Sequence, residues 1–377
     1  MTGPVHYHLG QFPPASEQLD WPRLVPLIGP ANAALARYDG LVAAIPNASV
    51  LLSPLTTQEA VLSSKIEGTN VTMGEVLEIE AGADGDVDQP KRDDAEEVLN
   101  YRVALSFAAN ALEERPLSPH LLREAHALLL QGVRGRDTNP GAFRDEQNWI
   151  GPQGCTIDQA SFVPIPQEHL HSGLDTWAAY TADRGQPDPL VQLALIHLEF
   201  EALHPFKDGN GRLGRMIIPL FLMQRGVLSS PSFYMSGYLE GRREEYVERM
   251  RAVSRTGAWT DWCSFFLEGL IEQAHQNQDR AQQIIALNTR MQREVAERTH
   301  SQFAGLAVDF IFSRPVFPTP VFVENSGIPR ESAQRLLRLL RDGDDPILRT
   351  IRPGSGRRPA ILAFPELLNI AEGRNVL

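Results

Sequence analysis

His204-Pro205-Phe206-Lys207-Asp208-Gly209-Asn210-Gly211-Arg212-Leu213-Gly214-Arg215 places a base, a carboxylate, a glycine-rich turn and two arginines in one short stretch. An apolar run follows at once (Met216, Ile217, Ile218, Leu220, Phe221), which predicts a helix whose N-terminus lies beneath the turn. Glycines there let backbone N–H groups converge on an anion. Asp208 supplies a hard oxygen ligand of the kind that holds magnesium together with substrate phosphates. Arg212 and Arg215, three apart, fall on one side of the first helical turn, where both forks reach the same polyphosphate. His204 is the group that can take a proton near neutral pH. The stretch holds no Ser, Thr or Cys, so it offers no hydroxyl or thiol nucleophile of its own, and a second substrate is expected to bring one. These are the parts for handling a magnesium-bound nucleotide phosphate.

Two other readings are weaker. Gly209 to Gly214 satisfies the dinucleotide pattern G-x-G-x-x-G, which has force only between a strand and a helix. Upstream, Leu190, Leu193, Ile196, His197 and Phe200 have helical spacing instead. His197 and His204 lack the H-E-x-x-H spacing of a zinc site and neither cysteine is near, so His197 is expected as a packed core histidine.

The motif His-Pro-Phe-x-Asp-Gly-Asn-Gly-Arg-x-x-Arg, complete from His204 to Arg215, resembles the signature of the Fic-domain family. The resemblance implies transfer of AMP from ATP to a Tyr, Thr or Ser hydroxyl of a protein. It assigns His204 as catalytic base, Asp208 as the Mg2+ ligand, and Gly209, Asn210, Gly211, Arg212, Leu213, Gly214 and Arg215 as nucleotide-binding. Phe206 would anchor the loop.

Ser63-Ser64-Lys65-Ile66-Glu67-Gly68 resembles the family's inhibitory motif, Ser/Thr-x-x-x-Glu-Gly. By itself the stretch also suits a helix end capped by glycine. With the resemblance, Ser63, Glu67 and Gly68 become inhibitory residues, and Glu67 is expected on Arg215, where it competes with the γ-phosphate for one fork.

The 377 residues suffice for two or three domains. A net charge of −12 argues against non-specific binding to nucleic acid or anionic membrane by the whole chain. No basic and apolar leader opens the sequence and no run reaches membrane-spanning length, so the cytoplasm is the expected compartment. Cys155 and Cys263 are far apart and read as packed residues.

The fold is expected to be mainly α: a Fic-type helical bundle with a small β-hairpin flap and a C-terminal winged-helix domain. Residues 1–90 form an N-terminal helical segment carrying the inhibitory motif, with helical spacing over 35–44 and 55–62 after a Pro-rich lead. Residues 91–299 form the catalytic domain, with helices over 95–112, 119–130, 169–181, 189–203, 211–225, 242–254 and 259–298. Within 143–166, short apolar runs alternate with Gly and Pro as in a hairpin. In the family such a flap clamps an unknown protein target by strand addition. Residues 300–377 read as helix, turn, helix (321–325 and 330–340), then a hairpin over 347–351 and 361–364 with a basic tip at Arg357 and Arg358: a winged helix.

The nucleotide base is expected near Tyr238, Gly241 and Tyr246. The family's Asn-Arg-x-x-Tyr-Tyr is here Gly241-Arg242-Arg243-Glu244-Glu245-Tyr246, which loses an amide that could bond adenine. In the last part, 10 basic residues meet 8 acidic ones, a faint footprint for DNA. A protein-interaction or homodimer-stabilising role is favoured over that of a DNA-binding regulator with a sensory or vestigial nucleotide site.

Overall fold

A helix buried on all sides stands at the centre of the site-bearing part of the protein. In the computed structural model, which describes residues 3–45, 47–82, 87–132, 139–356 and 358–376, this is α8 (Pro189–Leu203). Its sequence, PLVQLALIHLEFEAL, has no polar face, as expected of a core helix. Asp188 starts it by accepting from the N–H groups of Leu190 and Val191, with Pro189 in the first turn. His204 ends it in the left-handed conformation, φ 47°.

The chain divides into two units that interleave along the sequence. One comprises residues 1–40, 62–68 and 100–275, the other 41–61, 69–99 and 276–377.

In the first unit, α8 packs between α7 (Leu170–Ala182) and α9 (Asn210–Gln224), and α6 (Pro119–Leu129) lies against α9. α10 (Ser236–Gly241) leads into α11 (Arg243–Thr256). The long helices α1 (Trp21–Ala43), α5 (Gln89–Ala111) and α12 (Trp259–Thr299) contribute segments. α1 starts well before the expected residue 35, through the Pro-rich lead. Pro22, Pro26 and Pro30 recur every four residues on its exposed side, so the carbonyls that they leave unbonded face water.

The flap keeps its antiparallel turn in reduced form. Ile150 and Phe162 make a single bridge, and the regular partner of β2 (Phe162–Val163) is a parallel strand from the start of the chain, β1 (Val5–His6). Gly151 and a 3-10 turn at Ile157–Gln159 break up the rest of the ladder.

In the second unit, α2 (Ala48–Leu51) lies against α13 (Ala304–Ser313), and α4 (Met73–Glu80) against β3 (Val316–Pro318). β3, β5 (Ile361–Ala363) and β4 (Arg349–Arg352) form an antiparallel sheet in that order. α14 (Thr319–Asn325) and α15 (Arg330–Arg341) occupy the expected helix, turn, helix positions, and α16 (Pro365–Glu372) follows the sheet. β3 was not foreseen: its three residues end in Pro318, which masks the strand pattern. α15 buries Ala333, Leu336, Leu337 and Leu340. Arg357 lies outside the described residues. Among the described residues, no helix is long and apolar enough to cross a membrane.

Candidate active site

Gly209 is the hinge of the site. Its φ of 76° lets the chain turn from Asp208 into α9, a backbone that a side chain at this position would strain. The turn is stapled by Asn210, whose amide donates to the Phe206 carbonyl (2.8 Å) and accepts from the Phe206 N–H (2.9 Å). Phe206 is buried and stacks on His126 with ring centroids 3.9 Å apart. His126 accepts from the Gly141 N–H through Nδ1, so its Nε2–H donates to the Asp208 carbonyl (3.0 Å). Arg144, also buried, donates to the carbonyls of His204 (3.1 Å) and Ile165 (2.5 Å), while its own N–H donates to the Pro205 carbonyl (2.9 Å). The loop is thereby held on both sides by side-chain bonds to its backbone, which leave Arg212 and Arg215 out of the scaffold.

His204 is held in a sparsely populated backbone region by this packing. Burial lowers its pKa to about 4, despite the opposing pull of Glu67, so the imidazole is neutral at neutral pH. Asp208 is 45% exposed, and its Oδ1 accepts from the Gly209 N–H (2.6 Å) and lies 3.6 Å from Arg212. Among the described residues no group of three or more His, Cys, Asp or Glu converges on one point. A single accessible carboxylate fits an ion that brings phosphate oxygens with it and does not fit a closed protein cage.

Arg215 is buried, and three of its hydrogen bonds run to the end of α3 (Ser53–Ile66) and to Glu67 just beyond it. Nε donates to Ser63 Oγ (2.9 Å), and Nη2 to the Ser63 carbonyl (2.8 Å) and to Glu67 Oε1 (2.7 Å). Burial pushes the Glu67 carboxyl up, but the Arg215 guanidinium, with Arg212 and His204 beyond it, brings it below the usual carboxylate range. Two more contacts hold this helix end: Lys65 pairs with Glu240 (2.8 Å), and Arg243 Nε donates to the Ile66 carbonyl (3.0 Å). Glu67 presses against α9 where only glycine leaves room. A Cβ on Gly211 would lie 2.0 Å from Glu67 Oε1.

These groups meet in a cavity of about 160 Å³. Of the expected site residues, Glu67, His204, Gly211, Arg215 and Tyr246 line it. Asp208, Gly209, Asn210, Arg212, Leu213 and Gly214 belong to the adjoining loop and first turns of α9, with Leu213 wholly buried; Ser63 and Gly68 flank Glu67. Tyr238 and Gly241 are not on the wall. Tyr238 packs against Phe265 with Arg242 over its ring (4.3 Å), and Gly241 is exposed. Tyr246 is 2% exposed and packs on His197, to which its hydroxyl donates (2.8 Å); His197 Nδ1–H donates to the Gly214 carbonyl, and burial takes its pKa down to about 3.

Glu201, one helical turn before His204, was missed by the sequence reading. It lines the cavity, its Oε1 is buried with no hydrogen-bond partner, and burial raises its pKa to about 7. Its signal was an acid between Phe200 and Ala202 near the end of a helix that is mostly apolar.

Comparison with known proteins agrees with this geometry. A probable protein adenylyltransferase of Aquifex aeolicus is 26% identical over 199 residues, which cover 51% of this chain and 56% of that protein. The protein adenylyltransferase fic-1 of Caenorhabditis briggsae is 27% identical over 135 residues, 34% of this chain and 24% of that protein. The chain thus spans only part of the length of these relatives. A Fic family protein from Desulfovibrio desulfuricans has a similar fold, with a TM-score of 0.55 at 20% identity over 91% of this chain and 96% of that one. A Fic domain containing signaling protein from Bacteroides thetaiotaomicron superposes with a TM-score of 0.54 at 18% identity, over 67% of this chain and 97% of that one. The Fic/DOC family N-terminal profile matches residues 25–110 and the Fic/DOC family profile residues 116–222, so the chain belongs to the Fic/DOC family.

Proposed function

We propose that this protein is a nucleotidyltransferase that moves AMP from ATP to a Tyr, Thr or Ser hydroxyl of a protein, and that Glu67 holds it in a self-inhibited state. The observation that carries the reading is the ion pair between Glu67 and Arg215 in a cavity shared with His204. The N–H groups at the start of α9 and the forks of Arg212 and Arg215 bind the phosphates. Asp208 would hold Mg2+, which neutralises charge on the phosphates when bound. The neutral imidazole of His204 takes the proton of the incoming hydroxyl as its oxygen attacks the α-phosphorus. Pyrophosphate then leaves.

Inhibition follows from charge and volume together. A carboxylate on Arg215 occupies the fork that a terminal phosphate needs and repels it. The cavity of about 160 Å³ is also small beside the roughly 300–1,000 Å³ of typical small-molecule pockets. The end of the second unit, with α14, a turn, α15 and the sheet β3-β5-β4, is read as a winged helix serving protein interaction. The protein target would be aligned by the flap over residues 143–166.

The test is the intact mass of the Glu67→Gly protein after incubation with ATP and Mg2+. A gain of one or more adenylyl groups is expected, at least about tenfold above wild type, corresponding to about 1.4 kcal/mol. The Glu67→Gly, His204→Ala double variant should gain nothing. Unchanged mass of the single variant would rule the reading out.

A further inference from the structure

Beyond its phosphate end the cavity runs along one face of α11. Val247, Met250, Arg251 and Ser254 line it at helical spacing, together with Ile150 and Phe162 of the flap. Arg243 marks the near end, since its Nε donates to the Ile66 carbonyl beside Glu67. Arg251 comes eight residues later, about 12 Å further along the helix axis. The apolar side chains in between suit the flat face of a nucleotide base.

At this far end the Ser254 hydroxyl is already engaged by His8 Nδ1 (2.8 Å). Arg251 forms no hydrogen bond or ion pair with any described residue. The nearby acid, Glu248, pairs with Arg255 instead (3.0 Å). Yet Arg251 is half-buried, and burial takes its pKa below the usual guanidinium value. A guanidinium partly withdrawn from water without a partner costs solvation that an acceptor on a ligand would restore. The other groups expected near the base do not compete: Tyr238 and Gly241 are off the wall, and the Tyr246 hydroxyl is bonded to His197. A base seated here therefore meets a side chain that can only donate. Adenine shows such a group one acceptor, N7, beside the donating 6-amino group. Guanine shows two adjacent acceptors, O6 and N7, which one guanidinium takes together.

We propose that Arg251 reads the base and that the site takes GTP as well as ATP, passing GMP to the target hydroxyl. The inference rests on the reading of this cavity as the nucleotide site. Chemistry at the phosphate end is the same for both nucleotides. The bond from the hydroxyl oxygen to Pα forms, and the bond from Pα to the oxygen bridging to the β-phosphorus breaks. The hydroxyl proton passes to His204, and pyrophosphate departs with the bridging oxygen and its electron pair. Arg251 touches the base and not the reacting atoms, so it sets which nucleotide binds.

The experiment is calorimetric titration of the full-length Glu67→Gly, His204→Ala protein, which binds without turnover, with ATP and with GTP in the presence of Mg2+. GTP is expected to bind at least as tightly as ATP. Adding Arg251→Gln should move the ratio of the two affinities toward ATP by at least about tenfold, because an amide pairs with adenine N6 and N7 where a guanidinium pairs with guanine O6 and N7. The intact mass of Glu67→Gly after incubation with GTP and Mg2+ should show guanylyl groups, absent when His204 is also alanine. GTP binding weaker than ATP, or a ratio that Arg251→Gln leaves unchanged, overturns the inference and leaves the ATP-site reading intact. Failure of both nucleotides to bind overturns both. The comparison of ATP with GTP requires no change at Arg251, so it decides even where that variant fails to fold.

Discussion

His204 combines a strained backbone with a depressed pKa, and both come from its place at the end of a buried helix. A base whose pKa is lowered sheds its proton at lower pH, so the working, neutral form prevails from about pH 5 upward. The single-turnover rate of Glu67→Gly should therefore be level between about pH 6 and 8 and fall only as pH approaches about 4. A rate that halves near pH 6.5 would show a base of ordinary pKa. The residues of this loop were legible in the sequence because their chemistry is contiguous: base, carboxylate, turn and forks follow one another from 204 to 215. Arg144, His126 and Glu201 were not, since each acts through a neighbour that only the fold supplies. His8 likewise bonds Glu199 (2.9 Å) and Ser254 (2.8 Å), both more than 190 residues further along the chain, and no local pattern marks it. For Tyr246 the sequence leaves stacking on a base and plain packing equally open; the side chain is buried against His197 and also lines the cavity.

Helices were read more surely than strands. The span of α8 was expected to the residue and α9 to within one, because periodicity and the caps at Asp188 and Gly209 agree. α1 was read too short because proline normally breaks a helix. Its prolines are tolerated where the carbonyls that they orphan meet water. Pro26→Ala restores a donor in an exposed helix interior and should stabilise the protein by about 1–2 kcal/mol, less than the ~3 kcal/mol propensity difference because the unfolded chain also gains freedom. Denaturant melts of the two proteins check this, and an unchanged midpoint would mean that α1 has adapted its hydrogen bonding around the ring. The flap was read as a hairpin from its own residues. What the local pattern could not reveal is that a segment some 155 residues earlier pairs with its second strand (Val5 with Phe162).

At the scale of the molecule, charge and arrangement point the same way. The net charge of −12 and the near balance of charge in residues 300–377 provide little attraction for a polyanion. α15 does present Arg335 and Arg338 outward, yet Arg341 bonds Asp342 and Arg298 bonds Asp345 at the same end. Fluorescence anisotropy with duplex DNA at physiological salt should show no binding tighter than about 10⁻⁴ M, the weak end of non-specific affinities. Saturable, sequence-dependent binding at nanomolar protein would restore the regulator reading. The interleaving of the two units was invisible in the sequence, where the helix that ends at Glu67 reads as part of a continuous N-terminal segment.

If Glu67 inhibits as proposed, the absent side chain at Gly211 constrains how the site can be opened. The spot beside α9 is a single seat, too small for a methyl group and the Glu67 carboxylate together. Gly211→Ala would evict the carboxylate only by leaving a plug of its own on the phosphate path. An activator therefore cannot work by wedging something into that seat. It has to draw Glu67 away and leave the place empty for the nucleotide.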